Sequence, residues 1–123
     1  MQTGSIVRVS DNSGAQFVRV IKILGKKPKS RASIGDFIIC SVKQVHSRKK
    51  FKVLKGSKIT CMVIRIGNNY SRSDGHMFRY DFGAVVAVSR KGTPRATNIY
   101  GPVPKELREK GYIRLVSLST IAL

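Results

Sequence analysis

FIICSVKQVHSRKKFKVLKGSKITCMVIRI, residues 37–66, decides the fold. Its first part, FIICSVKQV (37–45), alternates imperfectly. Ile38, Cys40 and Val42 fall on one face, and Phe37, Ile39 and Ser41 on the other. That spacing predicts a strand with at least one buried face. Its last part, KITCMVIRI (58–66), predicts a second strand from its β-branched run. Between them, residues 43–58 hold seven Lys or Arg in sixteen positions, one His and no acid. An apolar chain thus leaves one strand, crosses a cationic stretch and re-enters another. Val42, Val45, Val53, Leu54 and Ile59 are expected to anchor the two ends. Arg48, Lys49, Lys50 and Lys52 are expected to project. Phe51, set among them, either folds back onto the core or stacks on a base or ribose.

Outward from this unit the pattern repeats. SIVRV (5–9) and FVRVIKIL (17–24) predict strands, joined through DNSG (11–14). Asp and Asn side chains bond nearby backbone in such turns, and Gly allows a positive φ. MFRYDFGAVVAV (77–88) predicts one long bent strand or two short ones, with Gly83 at the bend. Several short strands with turn signals between them predict a mainly β fold, a small barrel. Helix is scarce. PVPKELREKG (102–111) is the best case: Pro104 suits a first turn, Lys105/Glu109 and Glu106/Lys110 are i,i+4 pairs, and Gly111 suits the end. YIRLVSL (112–118) is expected to return to strand.

The chain has 123 residues, the length of one domain (1–123). That length buries roughly two-thirds of the unfolded surface, enough for a core without metal or disulfide staples. The charge is extreme: 24 Lys and Arg against 6 Asp and Glu, a net +18. Such self-repulsion opposes compaction unless a polyanion relieves it. Nucleic acid is the first candidate and an anionic membrane the second. No apolar run approaches the ~20 residues of a membrane span. The first fourteen residues lack both a signal-peptide core and an Arg-rich leader. A soluble chain is expected.

Catalytic chemistry is poorly supported. Asp11, Asp36 and Asp74 lie in or beside Gly-containing turns, and Glu106 and Glu109 fit helix pairing. His46 and His76 stand alone in basic loops. Asp81-Phe82-Gly83 matches the kinase magnesium motif by chance, because the glycine-rich loop, strand lysine and catalytic loop are missing. Cys40 and Cys61 sit inside apolar runs without a CxxC. They are expected to be reduced core cysteines, with one disulfide between two strands as the alternative. No enzyme, cofactor or metal is expected.

Basic segments are the chemistry this sequence does carry. GKKPKSRAS (25–33), GNNYSRSDGH (67–76) and SRKGTPRATN (89–98) join the 43–58 stretch. Each phosphate that Lys or Arg neutralises frees condensed counterions, which drives RNA binding. Lys26, Lys27, Lys29, Arg31, Arg48, Lys49, Lys50, Lys52, Arg72, Arg90, Lys91 and Arg95 are the candidate RNA contacts. No base-reading helix and no RNP aromatic signature is seen, which argues against sequence-specific DNA readers and RNA-recognition motifs. A free RNA-chaperone-like barrel would need stacking aromatics on one sheet face, and the nine aromatics are scattered.

VSDNSGA (9–15), IKILG (21–25), IGDFI (34–38), Asp74-Gly75 with Arg79-Tyr80-Asp81, and NIYGPVPKELREKGYIRLVSL (98–118) resemble the L fourteen family of universal large-subunit ribosomal proteins, of bacterial or organellar type. The resemblance runs from about residue 5 to the C-terminus. It implies a barrel of about five strands with a hairpin extension and a small helical C-terminal part. It implies binding to large-subunit rRNA near the subunit interface and bridges with small-subunit rRNA. It implies neighbours from the L three and L nineteen families, and a ribosome-silencing factor that blocks subunit joining. Thr97 and Arg114 match positions of the silencing-factor surface. Asn98 stands where Arg is usual there. Gly83, Ser57 and the terminal STIAL also depart from the family pattern. These departures and the charge surplus favour a mitochondrial ribosome over a bacterial or plastid one.

Overall fold

The computed structural model describes residues 1–25, 27, 30–45, 53–67, 70–71, 75–78, 80 and 82–122. Strands β1 (Ile6–Val9), β2 (Ala15–Ile23), β3 (Phe37–Val45) and β4 (Lys58–Arg65) come first. Two-residue strands β5 (Tyr70–Ser71) and β6 (Met77–Phe78) follow, then β7 (Ala84–Ala87) and β8 (Ile99–Val103). Helices α1 (Glu106–Glu109) and α2 (Ile113–Leu118) precede β9 (Ser119–Ala122). β1, β2, β3, β4 and β7 close into a barrel, β5 and β6 form the hairpin extension, and β8 pairs with β9. All barrel pairings are antiparallel except the closing one, β1 with β7, which is parallel.

The expected inward face of β3 is the inward face. Ile38, Cys40 and Val42 are buried, while Phe37, Ile39 and Ser41 are half-buried. They meet Val18, Val20, Cys61, Val63 and Val85 in one core. Both cysteines are free and buried. The Cys61 thiol is pushed well above its ordinary range, first by its hydrogen bond with Cys40 and then by burial. The two cysteines pack here as small apolar groups. Of the expected anchors, Ile59 is buried and Val45 and Val53 are half-buried, but Leu54 is 74% exposed and anchors nothing. The segment 77–88 is two short strands, β6 and β7, with Gly83 between them.

The C-terminal part departs from the sequence reading. Residues 112–118 are not a strand; 113–118 form α2. Helical spacing explains this. Tyr112, Leu115, Val116 and Ser119 line one side, half-buried or buried, while Ile113, Arg114 and Ser117 are exposed. Leu115 and Val116 join Leu107 of α1 in the core cluster. A strand would send Leu115 and Val116 to opposite faces. Helix α1 starts later than the Pro-rich segment suggested, with Lys105 at its N-cap and no side-chain cap bond. It ends at Gly111, whose φ of 94° is left-handed. Residues 99–103 are β8 and run parallel to β9, so Pro102 and Val103 are strand and not part of the helix that the 102–111 segment suggested.

Several contacts among the described residues fix this part on the barrel, including the Tyr100 N–H donating to the Ser10 carbonyl at 2.7 Å. Tyr112 meets Phe37 edge to face, with ring centroids 6.0 Å apart. Lys110 Nζ donates to the Ile34 carbonyl at 2.8 Å.

Candidate nucleic-acid interface

The barrel order sorts the basic segments. β1 runs antiparallel to β2, β2 to β3, β3 to β4 and β4 to β7. The connection that begins at Val45 therefore leaves from the end that carries the 10–14 turn and the exit of β7. Val45 pairs with Ala15 at that end. The 24–36 and 66–83 connections leave from the opposite end. The described candidate contacts thus form two sets at opposite ends of the barrel, Lys27 and Arg31 at one and Arg90, Lys91 and Arg95 at the other.

Arg90, Lys91 and Arg95 are exposed on the segment that follows β7. The segment is held by the Val88–Pro94 bridge and by the Ser89 N–H donating to the Thr93 carbonyl at 2.8 Å. Arg95 is tied by its own N–H to the Ala87 carbonyl at 3.1 Å. Gly92 has a φ of 85° and lies so close under Tyr112 that a Cβ would meet the ring at 2.8 Å. Three cationic side chains are therefore presented on a turn braced against α2. Lys27 and Arg31 are exposed on the 24–36 connection, where the Ser30 N–H donates to the Lys27 carbonyl at 3.1 Å. Lys26, Lys29, Arg48, Lys49, Lys50, Lys52 and Arg72 lie outside the described residues, as do His46, Phe51 and Asp74.

Thr97, Asn98 and Arg114 are exposed. Asn12 brings the first two together. Its Oδ1 accepts from the N–H groups of Thr97 and Asn98, each at 3.0 Å. Its Nδ2 donates to Thr97 Oγ1 at 2.8 Å. Asn12 was read only as turn chemistry; an 85-residue separation hid its second partner. Arg114 projects from α2.

Beside Asn12, the Asp11 carboxylate is buried. Its Oδ1 accepts from the Ser13 N–H and hydroxyl at 3.0 and 2.6 Å, and its Oδ2 from the Ala87 N–H at 2.9 Å. Burial pushes its pKa above 3.8 even though all three hydrogen bonds pull it down. The DNSG motif is therefore a turn and also a clamp between β1 and β7. Asp36 keeps the simpler turn role, accepting the Ser33 N–H at 2.7 Å.

Among the described residues no group of three or more His, Cys, Asp or Glu is placed to hold a metal ion. No helix among them is long and apolar enough to cross a membrane. The protein-family model for ribosomal protein L14p/L23e matches residues 1–123. The chain belongs to the ribosomal protein L14p/L23e family. It is 39% identical over 119 residues to the large ribosomal subunit protein uL14 of Petrotoga mobilis, covering 97% of this chain and 96% of that one. Membership in the L14p/L23e family makes it a structural, non-enzymatic protein of the large ribosomal subunit, with a role in translation. The five-stranded barrel, hairpin and helical C-terminal part match what the motif resemblance implied.

Proposed function

We infer that the chain acts as one ribosomal-protein domain that binds large-subunit rRNA near the subunit interface. In this reading it contributes to bridges with small-subunit rRNA. The observation that carries it is the net +18 charge, with Lys27, Arg31, Arg90, Lys91 and Arg95 exposed on connections of a closed barrel. Counterion release from the rRNA supplies the affinity, and the barrel supplies a rigid mount for the loops. Basic sets at the two barrel ends suit a protein wedged between RNA segments. Lys26, Lys29, Arg48, Lys49, Lys50, Lys52 and Arg72 belong to the same reading by their basic sequence segments.

Neighbouring ribosomal proteins of the L three and L nineteen families belong to the same reading, by family resemblance. So does a ribosome-silencing factor docking over Thr97, Asn98 and Arg114. Asn98 in place of the usual Arg removes a cation from that surface, so docking of the factor should be weaker here. The uL14 relative is bacterial and lends no weight to a mitochondrial ribosome. That preference rests on the charge surplus and the divergent motif positions alone.

The test is sedimentation of tagged protein from its own cells in magnesium and high salt. The protein should travel with the large subunit and leave it when magnesium is stripped and the rRNA unfolds. Charge reversal at Lys49 and Lys50 should impair incorporation. A protein that stays at the top of the gradient would count against the reading.

A further inference from the structure

A cleft of about 580 Å³ lies on the outer wall of the barrel, at the seam where β1 meets β7. That volume falls in the range of small-ligand sites. Arg8, Phe17, Arg65 and Phe82 line it, and none of its described lining residues is an acid. Arg8 lies over the Phe17 ring, 5.8 Å from the centroid. Phe82 is 81% exposed at the edge. Arg65 is half-buried, with its guanidinium held by the Ser10 hydroxyl and the Pro102 carbonyl. Burial lowers its pKa most, Tyr80 beside it pushes the value back up, and the Arg8 charge lowers it again.

Backbone irregularities aim these side chains. The β2–β3 register shifts on both sides of Phe17, and the β4–β7 register shifts between Val63 and Arg65. Such bulges re-aim a side chain relative to its strand. Two of them flank one cleft. Two like charges share that cleft, and one of them is partly desolvated, which costs free energy unless an anion relieves it. The aromatic rings beside them offer flat apolar surface to the same ligand.

We propose that this cleft binds one unstacked RNA nucleotide, its base against Phe17 and Phe82 and its phosphate between Arg8 and Arg65. A bare anion would leave the rings unused, and an apolar peptide would leave the guanidinium pair unrelieved. A flat base joined to a phosphate satisfies both. The site rests on the reading that the chain binds RNA, and it adds recognition of a base to contacts made with phosphates alone.

The test uses the full-length protein with a fluorescein-labelled uridine hexamer and with a twelve-base-pair RNA duplex, read by anisotropy. Phe82→Ala and Arg8→Gln change exposed side chains, so their thermal midpoints should match wild type. Phe82→Ala should bind the hexamer about 5- to 150-fold more weakly, the loss expected for one stacked base. Its duplex affinity should stay unchanged. Arg8→Gln should flatten the salt dependence of hexamer binding by about one contact. Wild-type failure to bind the hexamer would overturn the proposal. So would unchanged hexamer affinity in both variants, or equal losses on hexamer and duplex. A polyglutamate peptide that binds more tightly than the hexamer, and loses more on Phe82→Ala, would make the cleft a protein site. Co-sedimentation of wild type with the large subunit reports separately on rRNA binding.

Discussion

Asp11 carries more of the fold than its turn motif suggests. Its two oxygens serve three donors from both sides of the barrel seam. Asp11→Asn keeps the shape but turns an NH₂ toward one of those donors. The loss should be about 1–3 kcal/mol by urea denaturation, the cost of an unsatisfied buried group. The pH dependence has a definite sign. Burial raises the folded pKa above 3.8, so the folded state holds the proton more tightly than the unfolded chain. This contribution is fully present below 3.8 and is lost as pH rises through the folded value. The stability gap between wild type and Asp11→Asn should therefore narrow as pH rises across that window. A gap that widens there would contradict the assignment. Gly101 is a second such residue. Its φ is 80°, and a Cβ there would collide with the Arg65 guanidinium. Gly101→Ala should destabilise the protein through both strain and displacement of Arg65, and its thermal midpoint should fall.

Among the elements, the C-terminal β8–α1–α2–β9 unit owes its conformation to docking. Its helices have four and six residues, too short to persist alone. Leu107, Leu115 and Val116 bury their side chains and hold the helices in place. Leu107→Ala should cost about 2–5 kcal/mol in a denaturant titration. Tyr112→Ala removes the ring that rests on Gly92 and Phe37. Amide hydrogen exchange in residues 113–118 should then accelerate while β2 and β3 stay protected. Equal acceleration in both regions would show that this unit and the barrel unfold together. The helix at 113–118 was not legible because IRLVSL is short and apolar. Such a run satisfies period 2 and period 3.6 about equally, and only the position of Leu107 chooses between them.

On the scale of the whole molecule, charge dominates. With +18 on 123 residues, RNA affinity should fall steeply with salt. Six to ten phosphate contacts would lose roughly 10³–10⁵ in affinity between 50 and 200 mM salt, on the duplex-DNA calibration. A triple variant, Arg90→Glu, Lys91→Glu and Arg95→Glu, alters only exposed side chains. Its folding should persist. Its plot of log affinity for large-subunit rRNA against log salt should flatten by about 0.7–0.9 per contact removed. Filter binding across a salt series measures this. An unchanged slope would remove the 89–98 segment from the interface.

Local pattern was enough for part of this protein. The alternation in 37–45, the β-branched run in 58–66 and the DNSG turn are short-range signals, and they predicted barrel strands that the structure contains. The cationic surplus pointed to a polyanionic partner, because net charge does not depend on how the chain folds. The tertiary structure alone decided what depends on neighbours distant in sequence. Asn12 reaches Thr97 and Asn98, and Asp11 reaches Ala87, across separations that no local pattern encodes. The Arg8–Arg65 cleft exists only because β1 closes against β7 and register shifts re-aim side chains there. Residues 113–118 became helical because burial against α1 outweighed a weak strand preference. Strand periodicity is a property of consecutive residues, whereas a site is a property of the residues that packing brings together.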